Sequence, residues 1–460
     1  MGRQGQQEAL TAYDEVPYPG HPFAQTHPDR LATVATLFGL RPAAPDACRL
    51  LELGCGDGGN LVPMAYALPG SAFCGVDLST SAVERARELT AALGLGNVDL
   101  HVADVTALPQ LGEFDYVVAH GVYSWIAPPA RDSLLAACRK RLAPGGIAYV
   151  SYDVLPGGYM REVTRQMLRW HLRDVHDPAE RIAGARSLLE AVSEAGQPQA
   201  EWALAQSDAS LFHDELAEHH EAVLFTDFVA HAERHGLRFV AEADVFEMQA
   251  TSLPPGLAED TISREQYLDF FKRRMFRQTL LCHEQAEPHE PVATVVRGMF
   301  AASPVQPQGD PQAPGRVEFR GPLGATLTTD HEPTKRALAR LGAAWPAPVP
   351  ISVLGDVEEA MLRGYAANFL QLHVWAPAIA AAPSDRPLAS ALARLQAARG
   401  TRITNLRHGT VEVPDELGRR LITLLDGTRD RAALLRELDR PADELERSLE
   451  GLARIAVLEA

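Results

Sequence analysis

Cysteine is scarce in this sequence: there are five, at positions 48, 55, 74, 138 and 282, odd in number, unevenly spread and without a CxxC pair. That excludes a disulfide framework and a zinc ribbon, and points to a reducing compartment. No uninterrupted apolar run approaches the roughly 20 residues of a membrane span, and the opening MGRQGQQEALTAYDEV has no apolar stretch of the kind a secretory leader needs. A cytoplasmic protein without membrane insertion is expected. Basic charge is in deficit: 43 Lys and Arg against 60 Asp and Glu leave a formal net charge of −17, which repels a polyanion and argues against nucleic acid as a partner. A basic or neutral partner fits better. Disorder is excluded too, because 46% of the residues are hydrophobic and only 22% charged.

The 460 residues suit about three domains. From Arg49 short apolar runs alternate with helical stretches: CRLLEL (48–53), SAFCGVD (71–77), VDLHVAD (98–104), FDYVVAH (114–120) and GIAYVSYD (146–153). This βα rhythm predicts a doubly wound α/β sheet. Pro144, Gly145 and Gly146 read as a helix stop before the fifth strand. Residues 157–234 read as a helical cap inserted before two last strands, at 235–244 and 276–284. The Pro-rich, Gly-rich stretch AASPVQPQGDPQAPGRVE (301–318) reads as linker. Beyond it, two weakly repeated stretches each run from a hairpin into helices and a strand-like tail, predicting a pair of small winged-helix-like α+β units. The expected boundaries are 1–285 for the sheet domain with its cap, 286–318 for the linker, 319–385 for the middle unit and 386–460 for the C-terminal unit.

LLELGCGDGGNL (50–61) sets Gly54, Gly56 and Gly58 where a strand turns into a helix, the place for a tight turn and close backbone approach to a ligand. The stretch satisfies both GxGxxG and GxGxG, so the surrounding acids must discriminate. Glu52 falls at the end of the first strand, Asp77 at the end of the second and Asp104 at the end of the third, all facing one crevice in a parallel sheet. Asp77 can accept both hydroxyls of a ribose, Asp104 an adenine amino group, and Glu52 a cationic amino group. The last duty suits S-adenosyl-L-methionine (SAM) better than a dinucleotide. Each acid also has a bland reading as a helix cap.

ELGCGDGGN, GVDLS, HVADV and LAPGG resemble the cofactor motifs of class I SAM-dependent methyltransferases. The flanking pieces YDEVPYPGHPFAQTHPDRLATVATLFGL, SYDVLPGGYMREV, LFHDELAEHHEAVLFTDFVAHAERHGLRFVAEAD, FRQTLLCHE and TNLRHGTVEVPDELGRRLITLLDGTRDR resemble members that carry a methyltransferase regulatory domain, among them bacterial lysine methyltransferases of outer-membrane proteins. LFHDEL departs from the lysine-methyltransferase pattern by placing Asp214 after His213, where an HE pair is expected. The resemblance implies a Rossmann-like seven-stranded sheet, SAM as cofactor and S-adenosyl-L-homocysteine as product. It gives Gly54, Gly56 and Gly58 the methionine-side turn, Asp77 with Leu78 the ribose, Asp104 with Val105 the adenine, and His120 a place where cofactor and acceptor meet. His120 also reads as a helix cap or a core-edge histidine.

Methyl transfer from a sulfonium needs alignment and dryness more than a covalent catalyst, and no Ser-His-Asp or Cys-His arrangement stands in convincing context. HGVYSWIAPP (120–129) sets Tyr123 and Trp125 at the expected rim, and Tyr152 and Asp153 close the fifth strand. Aromatic faces with a carboxylate suit an amine acceptor; Tyr123 and Trp125 alternatively anchor the loop to the core. Tyr18, in the aromatic and Pro-rich segment TAYDEVPYPGHPFAQTHP, belongs to either a lid over the cofactor or a plain brace. The histidines at 213, 219, 220, 231 and 235 match no zinc signature, so no metal is assigned. The expected function is N-methylation of a protein or peptide lysine by a monomer or homodimer. The alternatives are a small-molecule O- or N-methyltransferase and a SAM-binding regulatory protein without turnover.

Overall fold

The computed structural model describes residues 11–249, 253–254 and 256–460, so positions 1–10, 250–252 and 255 of the expected first domain lie outside the described residues. The βα rhythm folds as one seven-stranded sheet of β1 (Arg49–Leu53), β2 (Ala72–Asp77), β3 (Val98–Val102), β4 (Phe114–Ala119), β5 (Leu142–Asp153), β6 (Leu237–Glu242) and β7 (Phe276–His283), in the order 3-2-1-4-5-7-6. β1 to β5 are parallel, and β7 runs antiparallel between β5 and β6. The apolar runs follow from helices covering both faces, and Leu50, Leu51, Val117, Ala148 and Leu281 are all fully buried. The chain works outward from β1 to β3 and then returns to β4, which puts the topological switch point between β1 and β4. Around the expected helix stop, pairing jumps from Phe114–Leu142 to Tyr116–Ile147. Residues 143–146 therefore bulge, and helix Pro128–Arg141 passes directly into β5.

The cap lies between β5 and β6, as expected, with helices Gly158–His171, Pro178–Glu194 and Pro198–Leu204 and a π-helical turn at Leu211–Glu215. It has its own core, which includes Leu168, Leu189, Ala203 and Leu211. It ends sooner than residue 234, because helix Phe225–Arg234 buries Phe225 and Phe228 in the core of the main sheet.

The linker expectation for 286–318 is corrected. Phe300–Ala302 is the central strand of a three-stranded sheet with Val349–Pro350 and Gln371–His373, and Val296, Met299, Ala301 and Val305 join the core of the main sheet. Prolines mark the turns here, while the apolar residues between them are buried. The hairpin Val317–Arg320 with Thr326–Thr329 and helices Glu332–Ala344 and Glu358–Ala366 complete this middle unit. The C-terminal unit builds a separate core from Ala393, Ile403, Ile422, Leu434 and Leu449, using helices Ala391–Ala397, Glu416–Leu424, Arg431–Leu438 and Ala442–Arg454 and the hairpin Arg402–Thr404 with Thr410–Glu412. Among the described residues no helix is long and apolar enough to cross a membrane.

Candidate active site

Strands β1 to β4 end on one edge of the sheet, and their order lays the predicted residues along it: Asp104 after β3, Asp77 closing β2, Glu52 near the end of β1 and His120 after β4. The glycine turn hangs on Asp77, whose Oδ2 accepts the Gly56 N–H at 2.8 Å and whose Oδ1 accepts the Ser79 N–H at 2.9 Å. Burial pushes the Asp77 carboxyl up, against the pull of these bonds. Gly56 has φ 53°, and a Cβ built on it meets no atom within 4 Å. Its bare face is therefore open crevice, the room a ligand needs. Gly54 and Gly58, at φ 80° and 77°, are also closely packed, since a Cβ there strikes Val122 Cγ2 at 2.6 Å and Val62 Cγ2 at 2.8 Å respectively. Leu78, next to Asp77, is 54% exposed on the same rim.

Glu52 is only 2% exposed. Its Oε1 accepts Asn60 Nδ2 at 2.7 Å, while its Oε2 is buried without a hydrogen-bond partner. Burial raises its pKa to about 8. A half-satisfied buried carboxyl of this kind is completed by a cation offered to the free oxygen. Asp104 is exposed and caps the turn Val105–Ala107 with its Oδ1, which accepts the Thr106 N–H and hydroxyl, both at 2.8 Å.

Residues 11–27 run back over this edge. Asp14 Oδ1 accepts the Ser79 and Ser81 hydroxyls at 2.6 and 2.7 Å, at the start of helix Thr80–Ala92. The Gly20 N–H donates to Asp57 Oδ1 at 3.1 Å, and the Phe23 N–H to Asn60 Oδ1 at 2.9 Å. A Cβ on Gly59 falls 2.4 Å from the Gly20 carbonyl carbon, so only glycine lets the two segments cross. The segment crosses the far side of the turn at Asp57, Gly59 and Asn60, a placement compatible with lid or brace.

Phe23 also stacks on His120, with ring centroids 3.7 Å apart. His120 Nδ1 lies 2.9 Å from the Tyr149 hydroxyl, and burial lowers its pKa to about 4, leaving a neutral imidazole at physiological pH. Phe276 meets the same ring edge-on at 5.9 Å and lines a cavity of about 350 Å³ together with Gln25, Asp244, Glu247 and Met275. Of the carboxylates in this wall, Glu242 is paired with Arg277 at 2.6 Å and Glu247 with Lys272 and Arg274, both at 3.5 Å, whereas Asp244 enters no ion pair among the described residues. Phe23 lay within the predicted lid without a role of its own. Asp244, Glu247 and Phe276 carry no local signal, because the antiparallel return of β7 is what brings them here.

Tyr18, Trp125 and Asp153 are brought together, but around a cation of the chain itself. The Arg161 guanidinium lies over the Trp125 ring at 5.0 Å and pairs with Asp153 at 3.3 Å, Glu215 at 3.0 Å and Asp214 at 3.6 Å. Arg165 lies 5.3 Å from the Trp125 ring, His220 Nε2 is 2.7 Å from Asp153, and the Tyr18 hydroxyl reaches Asp214 at 3.5 Å. The expected amine cage at Trp125 and Asp153 is thus filled internally, by arginines from the first cap helix. Burial raises the Asp214 pKa to about 6. Tyr123 and Tyr152 are not part of the crevice. Tyr152 stacks on Phe228 at 3.8 Å and shares a 2.9 Å hydrogen bond with Thr279, and the Tyr123 hydroxyl lies 2.8 Å from His231 Nδ1. The loop-anchor reading is the one Tyr123 fulfils. His231 and His235, whose Nε2 atoms lie 2.8 and 3.0 Å from Asp132 Oδ1, form a hydrogen-bonded cluster on the outside of the sheet domain.

Comparison with known proteins agrees with this architecture. Residues 51–148 match a methyltransferase domain, 207–283 a predicted methyltransferase regulatory domain, and 385–454 the C-terminal winged helix domain of PKMT. The chain belongs to the methyltransferase family that joins this regulatory domain to the catalytic sheet. Within it, the solved structure of PKMT2 from Rickettsia typhi in complex with AdoHcy superposes with a TM-score of 0.85 at 25% identity, covering 96% of this chain and 100% of that one. An uncharacterized protein of Rickettsia prowazekii is 38% identical over 289 residues, 59% of this chain, and the match spans only 52% of that protein. A second one from the same organism is 32% identical over 235 residues, 48% of this chain and 94% of its own length.

Proposed function

We propose that this protein is a SAM-dependent methyltransferase that methylates lysine side chains of basic or neutral proteins. The observation that carries the cofactor half is Glu52, a buried carboxyl with one free oxygen beside the bare face of Gly56. Glu52 suits the amino group of the methionine end, Asp77 with Leu78 the ribose, and the Asp104–Val105 turn the adenine. When bound, SAM supplies a methyl group on a positively charged sulfur, open to in-line attack by an amine. The lid over Gly59 and Asn60 excludes water, and Phe23 and Tyr149 hold His120 as a neutral ring beside the acceptor path. With its pKa lowered to about 4, His120 is a neutral ring at physiological pH that orients and packs; the lysine ammonium sheds its proton to solvent before its amine attacks.

For the acceptor, the cavity beside Phe276 offers exposed apolar surface and the Asp244 carboxylate to a lysine side chain, and Asp244 is the group suited to hold its ammonium on approach. The likeness to PKMT2 runs through the cap and the C-terminal units, beyond the cofactor sheet alone, and supports a protein acceptor. A volume of about 350 Å³ also suits a small-molecule acceptor, the competing reading. The test is incubation with SAM and a panel of basic and outer-membrane proteins, read by S-adenosylhomocysteine release and by intact mass. Lysine-borne mass gains of whole methyl groups are expected. Turnover on small amines alone, with unmodified proteins, would overturn the protein acceptor.

A further inference from the structure

Asn60 orients Glu52, and one of the groups that orient Asn60 comes from the winged-helix unit. Asn60 Nδ2 donates to Glu52 Oε1 at 2.7 Å and to Thr26 Oγ1 at 2.9 Å. Its Oδ1 accepts the Phe23 backbone N–H at 2.9 Å and lies 2.8 Å from His408 Nε2. A backbone amide can only donate, so the oxygen of Asn60 faces Phe23 and its NH2 faces Glu52. His408 meets that same oxygen and therefore donates through Nε2–H.

His408 sits in the turn between strands Arg402–Thr404 and Thr410–Glu412, 348 positions from Asn60, and is 5% exposed. The turn is clamped from both sides. Asn405 Oδ1 accepts the Arg407 and Gly409 N–H groups at 3.1 and 2.9 Å, and Arg407 donates to the Pro346 carbonyl at 2.8 Å with its guanidinium 4.7 Å from the Trp345 ring centroid. The His408 ring also packs 5.4 Å from His27, at the start of helix Pro28–Leu37. A polar side chain this buried, reaching from one core into the hydrogen-bond network of another, has a defined position to hold.

We infer that the winged-helix unit completes the methionine end of the cofactor site, with His408 as a positioning residue that locks Asn60 and, through it, the Glu52 carboxyl that receives the cofactor's amino group. The inference rests on the SAM reading given above. It makes the hairpin and the cofactor thermodynamically coupled: whatever draws the hairpin away weakens cofactor binding, and bound cofactor holds the hairpin down to the same extent.

The test is calorimetric titration of the full chain with S-adenosylhomocysteine, for wild type, His408→Ala and His408→Gln. His408→Ala is expected to weaken binding about tenfold, the usual effect of losing one buried hydrogen bond. His408→Gln, which keeps a side-chain N–H donor, is expected to recover much of that loss. A pH series separates positioning from bracing. Wild-type affinity should rise with pH as Glu52 ionises, and in His408→Ala the rise should move to higher pH, because a loosened Asn60 no longer favours the carboxylate. A residue that only braces the fold lowers affinity without moving the profile. Where His408→Ala melts early by circular dichroism, His408→Met fills the same space without a donor and repeats the comparison. Binding by the Ala or Met variant within about twofold of wild type, with an unchanged pH profile, overturns the inference while leaving the cofactor reading intact. A wild-type protein that takes up no S-adenosylhomocysteine overturns both.

Discussion

Among single residues, Glu52 is a carboxyl buried with one oxygen lacking a hydrogen-bond partner. Its carboxyl, normally near 4.5, is raised to about 8 by burial. Between those values the folded chain holds a proton that the unfolded chain has released, so the stability of the ligand-free protein falls as pH rises through this window. Glu52→Gln removes the ionisation. Denaturant melts across the same window should show the variant gaining on wild type toward alkaline pH, by an amount on the order of a few kcal/mol, while its affinity for S-adenosylhomocysteine falls. Asp77→Ala, losing two charge-assisted bonds to the turn and the proposed ribose contact, should weaken that affinity at least about thirtyfold by calorimetry. Glu52, Gly56 and Asp77 were legible because strand, turn and acid follow one another closely in the chain. Tyr152 was not, because residue type outweighed parity. Along β5 the side chains alternate, so Tyr149 and Ser151 reach His120 and Gly121 while Tyr152 faces Phe228 on the other side.

Among elements, the lid and the cap latch make separate predictions. Gly59→Ala forces a methyl group against the Gly20 backbone, so residues 11–27 should be cut faster in limited proteolysis and turnover should drop, with the thermal midpoint little changed. Arg161→Met removes the shared partner of Asp153, Asp214 and Glu215. Leaving buried carboxylates unpaired destabilises by about 3 kcal/mol or more, a shift that equilibrium unfolding would register. The βα order, the inserted cap and both hairpins could be read from apolar periodicity and turn residues. The folded stretch from Val296 to Val317 could not, since proline density marks turns equally well in a linker and in a unit of very short strands. Arg161 went unnoticed for a related reason: helical spacing places it on a cap helix, and only the tertiary fold turns that face toward β5.

For the whole molecule, the excess of negative charge and the Asp244 carboxylate beside Phe276 argue together for electrostatic capture of basic substrates. Methylation of a basic protein should slow as salt rises, chiefly through KM, while S-adenosylhomocysteine affinity changes little. Asp244→Asn should raise KM for that substrate more than it lowers kcat, as steady-state kinetics can resolve. Net charge gave this preference at once; the route of entry needed the three-dimensional arrangement of β6 and β7.

The 348 positions that separate Asn60 from His408 also bear on biosynthesis. A nascent chain whose sheet has already emerged from the ribosome still has the hairpin inside the exit tunnel or not yet translated. Such a chain lacks the group that sets Glu52, so incomplete translation products are poor consumers of SAM, and tight cofactor uptake waits for synthesis of the winged helix.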